Sequence, residues 1–361
     1  MGFNATRLVL SPILAYVLSV MTRSSSDKIR YGIIGFGGFA ERAIAPAIRA
    51  SRNSELVAIQ KRSLKAARQK ADEYHISNAF NSVEQLVRCP DVDAVFIVSA
   101  NARHCPETVA AARAGKHVIV EKPMALNVTE AKKMIDVCRK NGVKLMVGHM
   151  IRFSPLALRI KEIIRSGSIG DVTFVKTEFI YDGSKSQRRW LYNRLLAGGG
   201  PLFDIGVHCL DTLRFVLEDE VVSVKSHLYP TPTNVRTEST ANVALKFSRG
   251  VLASIYCSYD TSIRRSTIEV IGTNGSLSAT QFTLGERSIP LIQTSGKDGL
   301  DGEIRTELIN VPNLYVEEIN HFSSSILNKT RPLIPGEVGL ENQKILDAAL
   351  KGDSTSRTVR K

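Results

Sequence analysis

The chain has 361 residues and a formal net charge of +13, with 43% hydrophobic and 23% charged residues. That balance excludes a disordered chain and leaves room for two domains, each with its own core. The basic residues are scattered, with no RNP-like aromatic motif, zinc knuckle or recognition helix. This argues against nucleic acid as a partner and for a solvated surface that attracts anions. The five cysteines, Cys89, Cys105, Cys138, Cys209 and Cys257, are odd in number and form no CxxC. Buried thiols in a reducing, cytoplasmic setting are expected, with neither a disulfide scaffold nor a structural metal.

Residues 1–27 read as an N-terminal extension. Leu8 to Val20 is apolar but too short to span a bilayer comfortably, and no A-x-A cleavage site follows it. A misplaced start ahead of Met21 is the first expectation. A targeting segment or anchor, implying secretion or membrane attachment, is the alternative. From residue 28 the pattern sharpens. An apolar strand, Tyr31 to Ile34, runs into Gly35-Phe36-Gly37-Gly38-Phe39-Ala40, and a helical pattern follows. This is G-x-G-x-x-A between strand and helix. Gly35 permits the tight turn, Gly37 lets the backbone approach a pyrophosphate, and Ala40 lets the helix pack on the strand. The alternative is an ordinary glycine-rich turn.

Strands and helices then alternate. Strands are expected at 56–60, 94–98, 117–120 and 144–147, with helices at 63–75, 83–87, 106–114 and 129–140. Such alternation predicts a doubly wound parallel sheet over residues 28–150. After residue 150 a helix at 156–165 precedes a strand from Val172, and a second helix follows Pro201. Strands are then expected at 221–228, 241–247, 251–257, 266–271 and 276–279, with hairpin turns at Arg249-Gly250 and Asn274-Gly275. Helices at 316–327 and 337–350 close the chain. Residues 151–361 therefore read as an α+β domain on a mostly antiparallel open sheet, whose final helix could pack back on the first domain.

Three groups carry chemistry. At the end of the second strand, where an NAD-binding unit places an acid, stand Lys61, Arg62 and Ser63. A guanidinium and a hydroxyl there suit a 2′-phosphate, so NADP(H) is expected over NAD(H), a basic surface turn being the alternative. Glu121-Lys122-Pro123 ends a parallel strand, at the sheet edge where ligands sit. Lys122 there can hold a substrate oxygen. Asp204 and His208, spaced i,i+4 after Gly198-Gly199-Gly200-Pro201, would share a helix face. Without a cysteine partner or HExxH they do not suggest metal, and a histidine is a natural base for a hydroxyl.

In this order the motifs resemble the glucose–fructose oxidoreductase / inositol dehydrogenase (Gfo/Idh/MocA) family, from Ile29 to the C-terminus. The subgroup they look most like contains NADP-dependent sugar reductases such as 1,5-anhydrofructose reductase. The resemblance implies hydride transfer between a nicotinamide and a sugar or polyol carbon. Lys122 would polarise the reacting oxygen, His208 would act as acid/base and Asp204 would position substrate. Lys122-Pro123 is expected to be cis. Asn101 matches a position near the nicotinamide, although Ser99-Ala100 replaces the usual Thr-Pro before it. His104 would touch the cofactor or cap the next helix. Trp190 lies where the family often has a tryptophan near the nicotinamide, and Arg152 is a candidate substrate or interface residue. The family also contains a nicotinamide-dependent glycosidase and NADP-sensing regulators; regulators should lack the lysine or histidine present here. Pairing through the open sheet into a dimer or tetramer is implied as well.

Overall fold

The computed structural model describes residues 28–296 and 302–352, with the backbone of 357–358; the N-terminal extension lies outside the described residues. In the first half, β1 (Ile29–Ile34) leads through the glycine turn into a π-helical turn, Ala40–Ile44, and α1 (Ala45–Ala50). There follow β2 (Ser54–Gln60), α2 (Leu64–Glu73), β3 (Asn78–Phe80), α3 (Val83–Arg88), β4 (Ala94–Ile97) and α4 (Asn101–Arg113). β5 (His117–Glu121), α5 (Val128–Lys140) and β6 (Leu145–Gly148) complete it. All neighbours pair in parallel, in the order β3-β2-β1-β4-β5-β6. This is the doubly wound order, with its switch point between β1 and β4.

Two local features differ from the sequence expectation. The three-residue β3 has no period to reveal it. α4 begins at Asn101, not at Pro106, so a proline sits inside the helix. The earlier start is what brings Asn101 and His104 into the first turn above the switch point.

The second half opens with α6 (Pro155–Ser166), β7 (Val172–Ile180) and the short α7 (Arg194–Ala197). A π-helical turn, Leu202–Gly206, runs into α8 (Val207–Leu217). Then come β8 (Val221–Tyr229), β9 (Thr240–Phe247), β10 (Leu252–Ser258), β11 (Arg265–Gly272), β12 (Gly275–Thr280), β13 (Arg287–Ser295) and β14 (Glu303–Val311). With a two-residue strand, β15 (Arg357–Thr358), these form one sheet in the order β14-β13-β12-β11-β7-β10-β9-β8-β15. Every pair is antiparallel except β7 with β10. β13 and β14 escaped the sequence reading because β14 is polar and exposed along most of its length, so it lacks an alternating apolar face. The β11–β12 turn falls on Thr273-Asn274, one residue earlier than expected, since Gly272 pairs with Gly275.

α9 (Leu314–Leu327) and α10 (Gly336–Leu350) return to the first half. Ile319, Phe322 and Ile334 join the core of the parallel sheet, and Tyr31 Oη and Ser54 Oγ each lie 2.8 Å from Ser323 Oγ. α10 also adds Ile345, Leu346 and Ala349 to the second core. The C-terminal helices therefore tie the two sheets together and hold the cleft between them. All five cysteines are buried thiols.

Candidate active site

The glycine turn takes its shape from neighbours on both sides. Gly35 has φ +82°, and a Cβ there would lie 2.9 Å from the backbone of Ser99 across the switch point. The Gly35 N–H donates to Gln60 Oε1 at 3.1 Å, and the Phe36 N–H donates to the Gln60 carbonyl at 2.9 Å. Gln60, buried at the end of β2 where an acid would serve NAD, therefore anchors the turn. Among the described residues, a Cβ on Gly37 would have the Gly35 carbonyl oxygen, at 3.8 Å, as its near neighbour beyond the adjoining chain. That opening, beside a helix start whose first N–H groups lack intrahelical partners, fits a dinucleotide pyrophosphate. Gly38 lies against Arg42, Ala40 is fully buried, and the Phe36 and Phe39 rings pack edge-on against Tyr74 and Tyr315. Only the backbone of these two phenylalanines is therefore placed to serve a ligand.

Lys61, Arg62 and Ser63 follow β2 as the spacing predicts, with different commitments. Lys61 Nζ donates to the Phe36 carbonyl at 2.8 Å and lies 3.5 Å from Glu41. Ser63 caps α2, its Oγ accepting from the Ala66 N–H at 3.3 Å. Arg62 is exposed and makes no ion pair with any described residue.

The peptide bond between Lys122 and Pro123 is cis. Lys122 leaves the end of β5 and crosses to the second half, where Nζ donates to the Asp204 carbonyl at 2.8 Å and lies 3.4 Å from Oδ1. Asp204 sits in the π-helical turn and His208 in the first turn of α8. A helix carries both because Gly198-Gly199-Gly200 lets the chain pass under its neighbours. At Gly200 a Cβ would come within 2.0 Å of the Glu238 carbonyl oxygen. The carboxylate of Glu238 in turn accepts the Gly200 N–H at 2.8 Å and the Leu202 N–H at 3.2 Å, capping the helix start.

Asp204 is the best-connected group in the cleft. Arg188 grips it through both oxygens at 3.0 Å, while Tyr181 and Tyr259 donate to Oδ2 at 2.9 and 3.2 Å. Arg188 and Lys122 hold its carboxyl well below the usual carboxylate range despite burial. Its acceptor sites are thus taken by protein groups, which leaves no free acceptor for the substrate-positioning part expected of it. Arg188, Tyr181 and Tyr259 were not singled out by sequence. They lie on separate loops and strand ends, and no local pattern links them.

His208 is buried beside Phe179, and its Nδ1 has no hydrogen-bond partner. Burial, then the charge of Lys122, pushes its pKa well below the ordinary histidine value, so the ring is neutral. Glu121 is buried next to Lys122, with Oε1 unpartnered and Oε2 accepting the Lys122 N–H at 3.2 Å. Burial raises this carboxyl to about 7.

The remaining candidates serve the frame. His104 is fully buried, with Nδ1 2.9 Å from the Pro123 carbonyl and Nε2 3.2 Å from the Ser99 carbonyl; it neither caps a helix nor faces the cleft. Desolvation lowers its pKa to about 4. Asn101 donates from Nδ2 to the Ala197 carbonyl at 2.8 Å, tying α4 to α7. Arg152 is bidentate to buried Asp211 at 2.8 and 2.9 Å, which commits its guanidinium to the junction. Asn342 of α10 completes that junction, donating to Asp211 at 2.8 Å and lying 3.0 Å from His149 Nε2. Trp190 is half-buried in the Arg189–Tyr192 turn, packed on the second core beside Arg188.

Among the described residues no group of three His, Cys, Asp or Glu could hold a metal, and no helix is long and apolar enough to cross a membrane. Residues 29–149 match the Gfo/Idh/MocA model described as an oxidoreductase family with an NAD-binding Rossmann fold, and residues 157–278 match the family's C-terminal domain. The chain is 32% identical to 1,5-anhydro-D-fructose reductase of Ensifer adhaerens over 91% of its own length and 98% of that protein. It is 28% identical to D-xylose 1-dehydrogenase [NADP(+)] of Haloarcula marismortui, covering 93% and 94% of the two chains. Among solved structures, the aldose-aldose oxidoreductase of Caulobacter crescentus in complex with glycerol superimposes with TM-score 0.80 at 29% identity, over 90% of this chain and 97% of that one.

Proposed function

This chain belongs to the Gfo/Idh/MocA family of oxidoreductases, and from that premise we propose that it transfers hydride between NADP(H) and a hydroxyl- or carbonyl-bearing carbon of a sugar or polyol. The observation that carries the reading is the meeting of Lys122 with Asp204 across the two halves, with His208 one turn further on. When bound, the nicotinamide supplies the hydride donor or acceptor. The chain's own residues handle the oxygen and the proton. The Lys122 ammonium holds the reacting oxygen and disfavours free charge on it. Neutral His208 takes the hydroxyl proton during oxidation and returns it during reduction. Asp204 fixes Lys122, and its own charge is held by Arg188 and two tyrosines.

The preference for NADP(H) rests on Gln60 standing where an acid would be and on Arg62 being uncommitted. Arg62, with Ser63, is the cation placed to meet a 2′-phosphate, whereas Lys61 would first have to leave the Phe36 carbonyl. Gly35, Gly37 and the helix start would hold the pyrophosphate, with Glu121, Asn101 and Trp190 nearer the nicotinamide end. The relative named for NADP(+) supports that cofactor, and it and the 1,5-anhydro-D-fructose reductase relative both support a sugar as substrate class. Pairing through the open face of the antiparallel sheet, where Leu252, Tyr256 and Ile292 are exposed, would make a dimer or tetramer. The buried thiols favour a cytoplasmic location.

A screen of sugars and polyols with NADPH and with NADP⁺, following absorbance of the reduced nicotinamide, tests the reading. Turnover of a sugar or polyol with NADP(H) above NAD(H) is expected. Cofactor binding without turnover of any member of the panel would contradict it.

A further inference from the structure

Lys122 stands where the sheet no longer holds the chain. The β5–β6 ladder ends with Glu121 opposite Gly148, and Lys122 and Pro123 lie beyond it. Proline brings no N–H, so side chains must anchor this stretch of backbone. Glu121 Oε2 accepts the Lys122 N–H at 3.2 Å, and the Pro123 carbonyl lies 2.9 Å from His104 Nδ1. The lysine side chain leaves from between these two anchors and crosses to the Asp204 carbonyl, 2.8 Å from Nζ. A four-carbon stem is flexible, so the place of its ammonium depends on how firmly its backbone is held.

His104 is fully buried in the first turn of α4. Carbonyls face both ring nitrogens, Pro123 at 2.9 Å from Nδ1 and Ser99 at 3.2 Å from Nε2. A neutral imidazole carries one N–H, and the shorter contact takes it. The ring then donates to Pro123 and rests its other edge on Ser99. Ser99 is itself fixed. Its Oγ donates to buried Glu107 at 2.6 Å, and its backbone would stand 2.9 Å from a Cβ on Gly35. The ring therefore joins the wall of the glycine turn to the residue that follows Lys122.

We propose that His104 is a positioning residue for Lys122, fixing the lysine's backbone against the wall of the dinucleotide turn so that its ammonium meets the reacting oxygen beside the nicotinamide. The inference rests on the oxidoreductase reading of this cleft and adds to it a residue that touches neither substrate nor cofactor. A small misplacement of a reacting group is costly in rate and leaves ground-state binding largely alone.

The test uses the full chain. His104→Leu removes both ring contacts. His104→Asn keeps an amide N–H near the place of Nδ1, and His104→Gln carries its amide one bond further out, on the Ser99 side. Steady-state kinetics on the substrate found in the screen gives kcat and KM, and NADPH fluorescence titration checks that each variant is folded. His104→Leu and His104→Gln should each lose about tenfold in kcat, the value of one hydrogen bond, with KM and NADPH affinity little changed. His104→Asn should recover most of the loss, which a merely structural role would not give. Should His104→Leu not fold, the contrast of His104→Asn with His104→Gln decides. A second measurement needs no substrate. Acetic anhydride labelling of Lys122, read by peptide mass spectrometry, should be faster in His104→Leu and His104→Gln and return toward the wild-type rate in His104→Asn. That labelling pattern, with no sugar or polyol turned over, would sustain the positioning role and sink the oxidoreductase reading. Turnover of a sugar with wild-type kcat in His104→Leu and His104→Gln would do the reverse. Equal losses in His104→Asn and His104→Gln, or a loss confined to NADPH affinity, overturns the positioning role.

Discussion

Gly37 and Gly200 stand at the starts of two helices, one in each half, and both helices open with a π-helical turn. In sequence both glycines lie in glycine-rich stretches ahead of a helix. Their surroundings separate them. Among the described residues, a Cβ on Gly37 would meet a carbonyl oxygen at 3.8 Å, whereas one on Gly200 would come within 2.0 Å of the Glu238 carbonyl. The first glycine keeps space open for a ligand. The second keeps space open for the protein's own backbone, so that Asp204 and His208 arrive over the cleft. Glycine at a helix start thus serves binding in one half and delivery of the reacting groups in the other.

If this division holds, the largest loss of rate should come from the delivered groups. His208→Ala and Lys122→Ala should each lower turnover by ~10²–10⁴, the usual effect of removing a positioned acid/base or oxygen ligand. Steady-state kinetics on the substrate found in the screen measures it, and near-wild-type rates for either variant would refute that residue's part. Next in size is Gly200→Ala. Because the obstacle is backbone, the helix start must shift, at a cost of about 1–3 kcal/mol or more. A thermal melt should show a drop of several degrees, and an unchanged midpoint would contradict the packing account.

A smaller effect belongs to cofactor choice. Arg62→Ala should weaken NADP(H) by about tenfold, the value of one charge-assisted phosphate contact, while NAD(H) changes little. Equal losses in fluorescence titrations with the two cofactors would remove Arg62 from the 2′-phosphate site. A further effect is on pH. His104 and His149, both buried in the first half, have pKa values lowered to about 4 by burial. The unfolded chain binds protons on both near pH ~6.5, so it gains protons before the folded chain does. Stability should therefore fall as pH drops from about 6.5 toward 4, read as a declining melting midpoint. Glu121, raised to about 7, works in the opposite sense over its own range and flattens the trend.

The comparison also shows which features the sequence made legible. The Gly35–Ala40 turn, the strand ending at Glu121-Lys122 and the Asp204/His208 spacing are contiguous, and their function depends on local geometry that a short pattern encodes. Arg188, Tyr181 and Tyr259 meet on Asp204 only after three separate segments fold together, so no periodicity announces them. Arg152 looked available to substrate because its partner Asp211 lies in another helix. Gln60 was passed over as a missing acid, although its side chain holds the glycine turn. β14 is exposed over most of its length, and without a buried stripe a strand leaves no period to read.

The account's central claim is that the first helix start is shaped for a dinucleotide and the second for the protein's own chain. The most direct test measures NADPH fluorescence binding and the thermal midpoint together on Gly37→Val and Gly200→Ala. Gly37→Val should lose NADPH binding and keep the wild-type midpoint, since its added atoms enter open space where the pyrophosphate would lie. Gly200→Ala should lose stability first. A Gly37→Val protein that binds NADPH as tightly as the wild type would contradict the claim.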